Sequence, residues 1–158
     1  EGWTLIEGRF GTLNPSDYVY PDGVPDGVNV AYGNGGTIAQ VVAAVLEANM
    51  LYSLQVKLGN RPNLPFPGYR VQLLAGGEIV AEDVDTIQPE SSTFESALVR
   101  FHTDAINPLV GQSLEIWLVS FGRQVLFDKV TLHSTPIPAP GALALLAVAG
   151  LTGRRRRR

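Results

Sequence analysis

At 158 residues the chain has the length of one domain with a real core, and its 17 glycines and 11 prolines punctuate many short segments. The absence of cysteine excludes a disulfide framework and any thiolate metal site. The formal charge of -3 includes five arginines at 154–158, so the remainder carries -8, a balance that argues against nucleic-acid backbones as partners.

The first segment, Glu1 to Glu7, reads as the interior of a strand, with no initiating Met and no signal peptide, as expected of a fragment or a processed product. A loop follows to Asn29, marked by Asn14-Pro15, Asp22-Gly23 and Asp26-Gly27. Its near-repeat PDGVPDGV either places carboxylates on a calcium ion or is plain turn chemistry. Val28 to Tyr32 predicts a short strand, the glycines of GNGG a break, and Thr37 to Leu46 a further strand. Tyr32 stands at the first strand's end, exposed for ligand contact or capping the core with its ring.

Leu51 to Leu58 alternates cleanly, with Tyr52, Leu54, Val56 and Leu58 on one face and Ser53, Gln55 and Lys57 on the other. Tyr69 to Ala75 alternates too, and Gly76-Gly77 predicts a tight hairpin into Glu78 to Ala81. Between them GNRPNLPFPG holds too many prolines and glycines for helix or central strand. It reads as a rigid loop, either a mount for binding groups or a connector.

Phe94 to His102 and Ser113 to Ser120 predict two more strands around an Asp104 to Gln112 loop. In the second, Trp117 falls opposite Leu114, Ile116 and Leu118, under a covering loop or on an open stacking platform. The last strand, Gln124 to His133, puts Asp128 in line with Leu126, Val130 and Leu132. A carboxylate among apolar residues needs a cation, an arginine or several backbone donors, and calcium is the preferred partner over a purely hydrogen-bonding role. His102 and His133 are isolated, and no catalytic constellation is visible. The first 134 residues therefore predict an all-β sandwich or barrel.

After Ser134 the composition changes to TPIPAPGALALLAVAGLTGRRRRR. Ala142 to Leu151 is short for a bilayer span, and the arginines Arg154, Arg155, Arg156, Arg157 and Arg158 act as a cytoplasmic stop. A proline motif, a short apolar helix and a terminal arginine cluster together resemble the PEP-CTERM sorting signal of exported bacterial proteins. Ile137, Pro138, Ala139 and Pro140 occupy the motif, with Ala139 in place of its usual acid. The resemblance implies export, transient anchoring in the inner membrane, processing by an exosortase, and a final place at the cell surface or in the extracellular matrix. Residues 1–134 are then the folded body and 135–158 the sorting tail.

The body is similar to the jelly-roll domains of PEP-CTERM proteins and to the Stig cyclases of hapalindole-type alkaloid biosynthesis. The resemblance rests on GTLNPSDYVYPDGVPDGVNVAYGNGG, GNRPNLPFPGYRVQLLAGG and VLFDKVTL. It implies a galactose-binding-like jelly-roll β-sandwich, with Asp128 on a structural calcium shared with an acid from a first strand that would precede Glu1. In the cyclases it implies an acid on the last strand and pocket aromatics that promote rearrangement and cyclisation of an indole-isonitrile terpenoid. Those relatives carry acids on both sides of the phenylalanine, where this chain has Leu126-Phe127-Asp128, and Arg61 stands where a pocket aromatic is expected.

These departures favour a non-catalytic module that binds an extracellular glycan or matrix component. Tyr32, Asn60, Arg61, Tyr69 and Trp117 would stack and hydrogen-bond around a loop mouth, with Asp128 on calcium. The competing readings are a cyclase-like enzyme with Asp128 as its acid, and a purely structural surface protein.

Overall fold

A computed structural model describes residues 2–138. Its regular elements are all strands: β1 (Thr4–Leu13), β2 (Val30–Val45), β3 (Met50–Asn60), β4 (Tyr69–Ala75), β5 (Glu78–Val84), β6 (Thr93–His102) and β7 (Ser113–Pro136). The expected tail helix and the arginine cluster lie outside the described residues.

The period-two segments become strands because alternation buries one face. In β3, Tyr52, Leu54, Val56 and Leu58 are buried while Leu51 and Gln55 face water. Between β4 and β5, Gly76 and Gly77 adopt φ of 58° and 83°, the left-handed pair that a two-residue hairpin turn requires.

Hydrogen bonding runs continuously through β1-β2-β7-β3-β6, with β4 attached to β7 and β5 to β4, every pairing antiparallel. The first part of β7, Ser113 to Ser120, lies between β2 and β4, whereas Val125 to Pro136 runs beside β3. Strands β2 and β7 thus pass from one layer of the sandwich into the other. The main core fills the space between, with Leu54, Val56 and Leu58 against Val71, Leu73, Ile116 and Leu118.

The passage between layers corrects the sequence reading at two places. GNGG was expected to end a strand, but β2 continues through it with register shifts at Gly33, Asn34 and Gly36. Bulges let a strand turn a corner without ending its ladder. The corner needs glycine: a Cβ on Gly8 of β1, at φ 70°, would stand 2.1 Å from the carbonyl oxygen of Gly35. Likewise the two strands expected at Ser113–Ser120 and Gln124–His133 are one strand, whose register against β2 shifts between Ser120 and Val125.

A second bulge reorders the end of β7. Phe127 pairs with Leu58 and Leu132 with Leu54, all on the core side, but the register slips between Gln55 and Lys57 and Lys129 sits at φ 44°. Leu126 therefore faces the opposite side from Val130 and Leu132, and the four residues Leu126, Asp128, Val130 and Leu132 do not share one face. Leu126 joins a second cluster with Tyr20 and Val30, over which the β1–β2 loop folds Val19 and Val24. The Tyr20 and Phe94 rings pack there with centroids 4.8 Å apart. That loop is a strap over an outer sheet face, built from its own apolar residues.

Candidate active site

Where β1 borders the sandwich, the two layers leave a cavity of about 380 Å³ lined by Trp3, Ile38, Gln40, Leu118, Phe127 and Asp128, among others. A neighbouring cavity shares Trp3, Ala31 and Ile38 and adds Leu5 and Phe10. Pairing places these side chains. Leu5 of β1 pairs with Ile38 of β2, which pairs with Leu118 of β7, and Ala31 pairs with Phe127. Phe10 and Phe127 stack at a tilt, centroids 5.7 Å apart. The lining of the first cavity is mixed: Trp3, Ile38, Leu118 and Phe127 stand beside the polar Asp26, Gln40, Asp128, Lys129 and Thr131.

Two acids, Asp26 and Asp128, line this cavity, and Asp128 stands on the bulged part of β7. Its Oδ1 accepts the N–H of Lys129 at 2.7 Å and its Oδ2 the N–H of Asp26 at 3.0 Å. Burial pushes its carboxyl above the ordinary carboxylate range. The two amide donors oppose that shift, the Asp26 charge adds to it, and the Lys129 ammonium opposes it again. Burial wins, so the carboxyl holds its proton to higher pH than a free aspartate.

These contacts correct the expectation of calcium on Asp128. Among the described residues no three His, Cys, Asp or Glu side chains gather to hold a metal ion. Calcium takes six to eight oxygens, whereas both oxygens of Asp128 are engaged by backbone amides and Asp26 offers its N–H. The residues present do not fit the ion. In the PDGVPDGV stretch, Gly23 and Gly27 adopt φ of 78° and 63°, as turn chemistry demands.

The five residues expected around one loop mouth do not share a cavity. Tyr32 pairs with Leu126 and packs against the second cluster. Tyr69 is fully buried, its hydroxyl donating to Oδ2 of Asp83 at 3.0 Å. Asn60 donates to the carbonyl of Pro89 at 2.8 Å, and Arg61 donates to Oε1 of Gln124. Trp117 lies half-buried between Ala39 and Gln72, its indole N–H donating to Glu115 at 3.1 Å. The alternation that buries Tyr69 inward is the same one that turns Trp117 outward.

Trp3, Phe10, Ile38 and Phe127 were missed as site residues. Antiparallel pairing of β1 with β2, and of β2 with β7, places Trp3, Ile38 and Phe127 on the cavity of Asp128 and Phe10 on the neighbouring one. Leu126, where the cyclase resemblance places another acid, is fully buried among Tyr20 and Val30.

Residues 1–133 match the HpiC1-like family, described as HpiC1 cyclase. The structure resembles a crystallised cyclase from Fischerella sp. TAU with a TM-score of 0.79 and 28% identity, covering 87% of this chain and 86% of that one. A Fischerella sp. TAU cyclase in complex with 4-(1H-indol-3-yl)butan-2-one aligns with a TM-score of 0.74 and 31% identity, covering 86% and 79%. The CBM22-1 xylan-binding domain of Paenibacillus barcinonensis Xyn10C, at 12% identity and a TM-score of 0.54 over 87% and 88% of the two chains, shares the fold alone. No curated protein matches the sequence. The cyclase match overturns the expectation of a non-catalytic glycan-binding module: the departures at Leu126 and Arg61 were given more weight than likeness along the whole body. With a match that runs from the first residue to His133, within the last strand, the chain belongs to the HpiC1-like family of cyclases.

Proposed function

We propose that this protein is a cyclase that binds an apolar, indole-bearing substrate in the cavity between Trp3 and Phe127 and protonates it with Asp128. The observation that carries this reading is the Asp128 carboxyl, raised by burial above its ordinary range, on a cavity of about 380 Å³ that Trp3 and Phe127 also line. The indole ligand of the Fischerella relative supports the substrate class.

The chemistry follows from the geometry. A protonated Asp128 donates its proton to an unsaturated carbon, leaving a carboxylate beside a substrate cation. Trp3 and Phe127 line the cavity and offer ring faces, each worth about 0.5–2 kcal/mol to a desolvated cation. Ring closure transfers the positive charge, and loss of a proton back to Asp128 restores the acid, so the reaction is a net isomerisation. The amides of Asp26 and Lys129 stabilise the carboxylate during its brief existence.

The test is turnover of an indole-isonitrile terpenoid by the wild type and Asp128→Asn, with binding of 4-(1H-indol-3-yl)butan-2-one measured on both. A positioned general acid is worth about 10²–10⁴-fold. The expected result is a loss of that size in rate with binding retained. An Asn variant as fast as the wild type would remove Asp128 from the chemistry.

For the tail, export and sorting to the cell surface by an exosortase-type enzyme remain part of the proposal. Residues 137–140, the apolar run 142–151 and the terminal arginines support it.

A further inference from the structure

On the loop side of the molecule a cavity of about 400 Å³ is lined by Arg61, Arg123, Tyr18, Pro62, Asn63 and Leu64, with Val19 beside them. Two arginines line one depression in a body whose formal charge is strongly negative. No carboxylate lines it, and the ion pair found among the described residues is elsewhere, between Arg70 and Glu82. Like charges brought together without a counter-charge cost energy that an anion would relieve.

The arginines are not loose surface groups of the same kind. Arg61 follows β3 on the proline-rich loop and is anchored by donating to the side chain of Gln124. Gln124 itself holds a left-handed backbone, φ 62°, at the bend of β7. That conformation is costly for a residue with a Cβ and persists where the surroundings impose it. It sets the Arg61 partner next to Arg123 in the chain, and both arginines line the same depression. Tyr18, 89% exposed, with Pro62 and Leu64, adds an apolar surface next to the charges.

We infer that this corner is a binding site for an oxyanion, carboxylate or phosphate ester, carried on a small apolar or aromatic body. Arg61 and Arg123 clamp the anion through charge-assisted hydrogen bonds, Asn63 adds an amide, and Tyr18, Pro62 and Leu64 receive the apolar part. The inference is independent of the cyclase reading, because none of these residues lines the cavity of Asp128.

Phenyl phosphate and benzoate are the probes, with benzyl alcohol as a neutral match, followed by calorimetry and by amide shifts of the full chain. Expected is saturable binding of the two anions in the millimolar range or tighter, weakened by added salt and absent for benzyl alcohol. Arg123→Gln, an exposed position, should weaken binding about tenfold, as should Arg61→Gln, while Arg123→Lys retains part of it. Asp128→Asn should leave it unchanged. Anion binding equal in the wild type and Arg123→Gln, shifts centred away from Arg61 and Asn63, or no saturation would each overturn the assignment.

Discussion

The backbone amide of Asp26 donates to Oδ2 of Asp128 at 3.0 Å across 102 residues of sequence. One bond thus joins the strap over the outer sheet face to the acid at the cavity rim. Removing the donor should be felt at the acid. Asp26→Asn loses the Asp26 charge and keeps the N–H, whereas Asp26→Pro loses both, so the Asp128 carboxyl should titrate at higher pH in Asp26→Pro than in Asp26→Asn. Carbon-detected NMR titration of that carboxyl in both variants reads the direction of the difference. An equal or lower titration in Asp26→Pro would show that the bond does not hold the charged form.

The same carboxyl makes stability depend on pH, with a definite sign. Its pKa is raised above 3.8 in the folded chain, chiefly by burial. Between the unfolded and folded values the native state therefore binds more protons than the unfolded one, and stability falls as pH rises. The contribution is complete below the unfolded pKa and is lost as pH passes through the folded one. Asp128→Asn does not titrate there. Its melting temperature relative to the wild type should rise with pH across that window, a trend that thermal scans at a series of pH values would detect.

At the corner between layers, Gly8→Ala should be among the most damaging of small substitutions. Its Cβ meets the Gly35 carbonyl at 2.1 Å and its φ is 70°, whereas Gly77, at φ 83°, has nothing within 4 Å. Gly77→Ala should cost about 1–2 kcal/mol, the price of a left-handed backbone alone. Gly8→Ala should cost clearly more, because β1 or β2 must also move. Urea unfolding of both variants measures the difference, and equal losses would contradict the clash.

Leu126→Ala should cost about 2–5 kcal/mol, as expected for a fully buried leucine. Part of that loss should come from loosening the strap, since Leu126 is the sheet residue against which Tyr20 and Val30 pack. Hydrogen exchange of the Val19 and Tyr20 amides, both bonded to the carbonyl of Ser16, should accelerate in the variant ahead of the amides of β3.

Much of this architecture is readable in the chain. The alternation of Tyr52, Leu54, Val56 and Leu58 specifies β3 and its buried face, and Gly76-Gly77 specifies the turn after β4. The failures have a common cause. Around Gly33 to Gly36 and Gln124 to Lys129 the strands bend and bulge, and a bulge resets which side each later residue faces. Asp128 was singled out as a carboxylate needing partners, but calcium was preferred to the backbone donors it has. That those donors are the amides of Asp26 and Lys129 depends on how the strap folds back, and Trp3 reaches its vicinity only through two successive strand pairings.

The 24 residues of β7 are hydrogen-bonded to β2, β4 and β3 in turn. A slip of this strand by one residue cannot be confined to one layer, because it would turn Leu114, Ile116 and Leu118 out of the core together with Val125 and Phe127. The two halves of the sandwich therefore share a single zipper. They should melt together, and partial opening should begin at the borders, β1, β5 and β6, long before either layer can separate from the other.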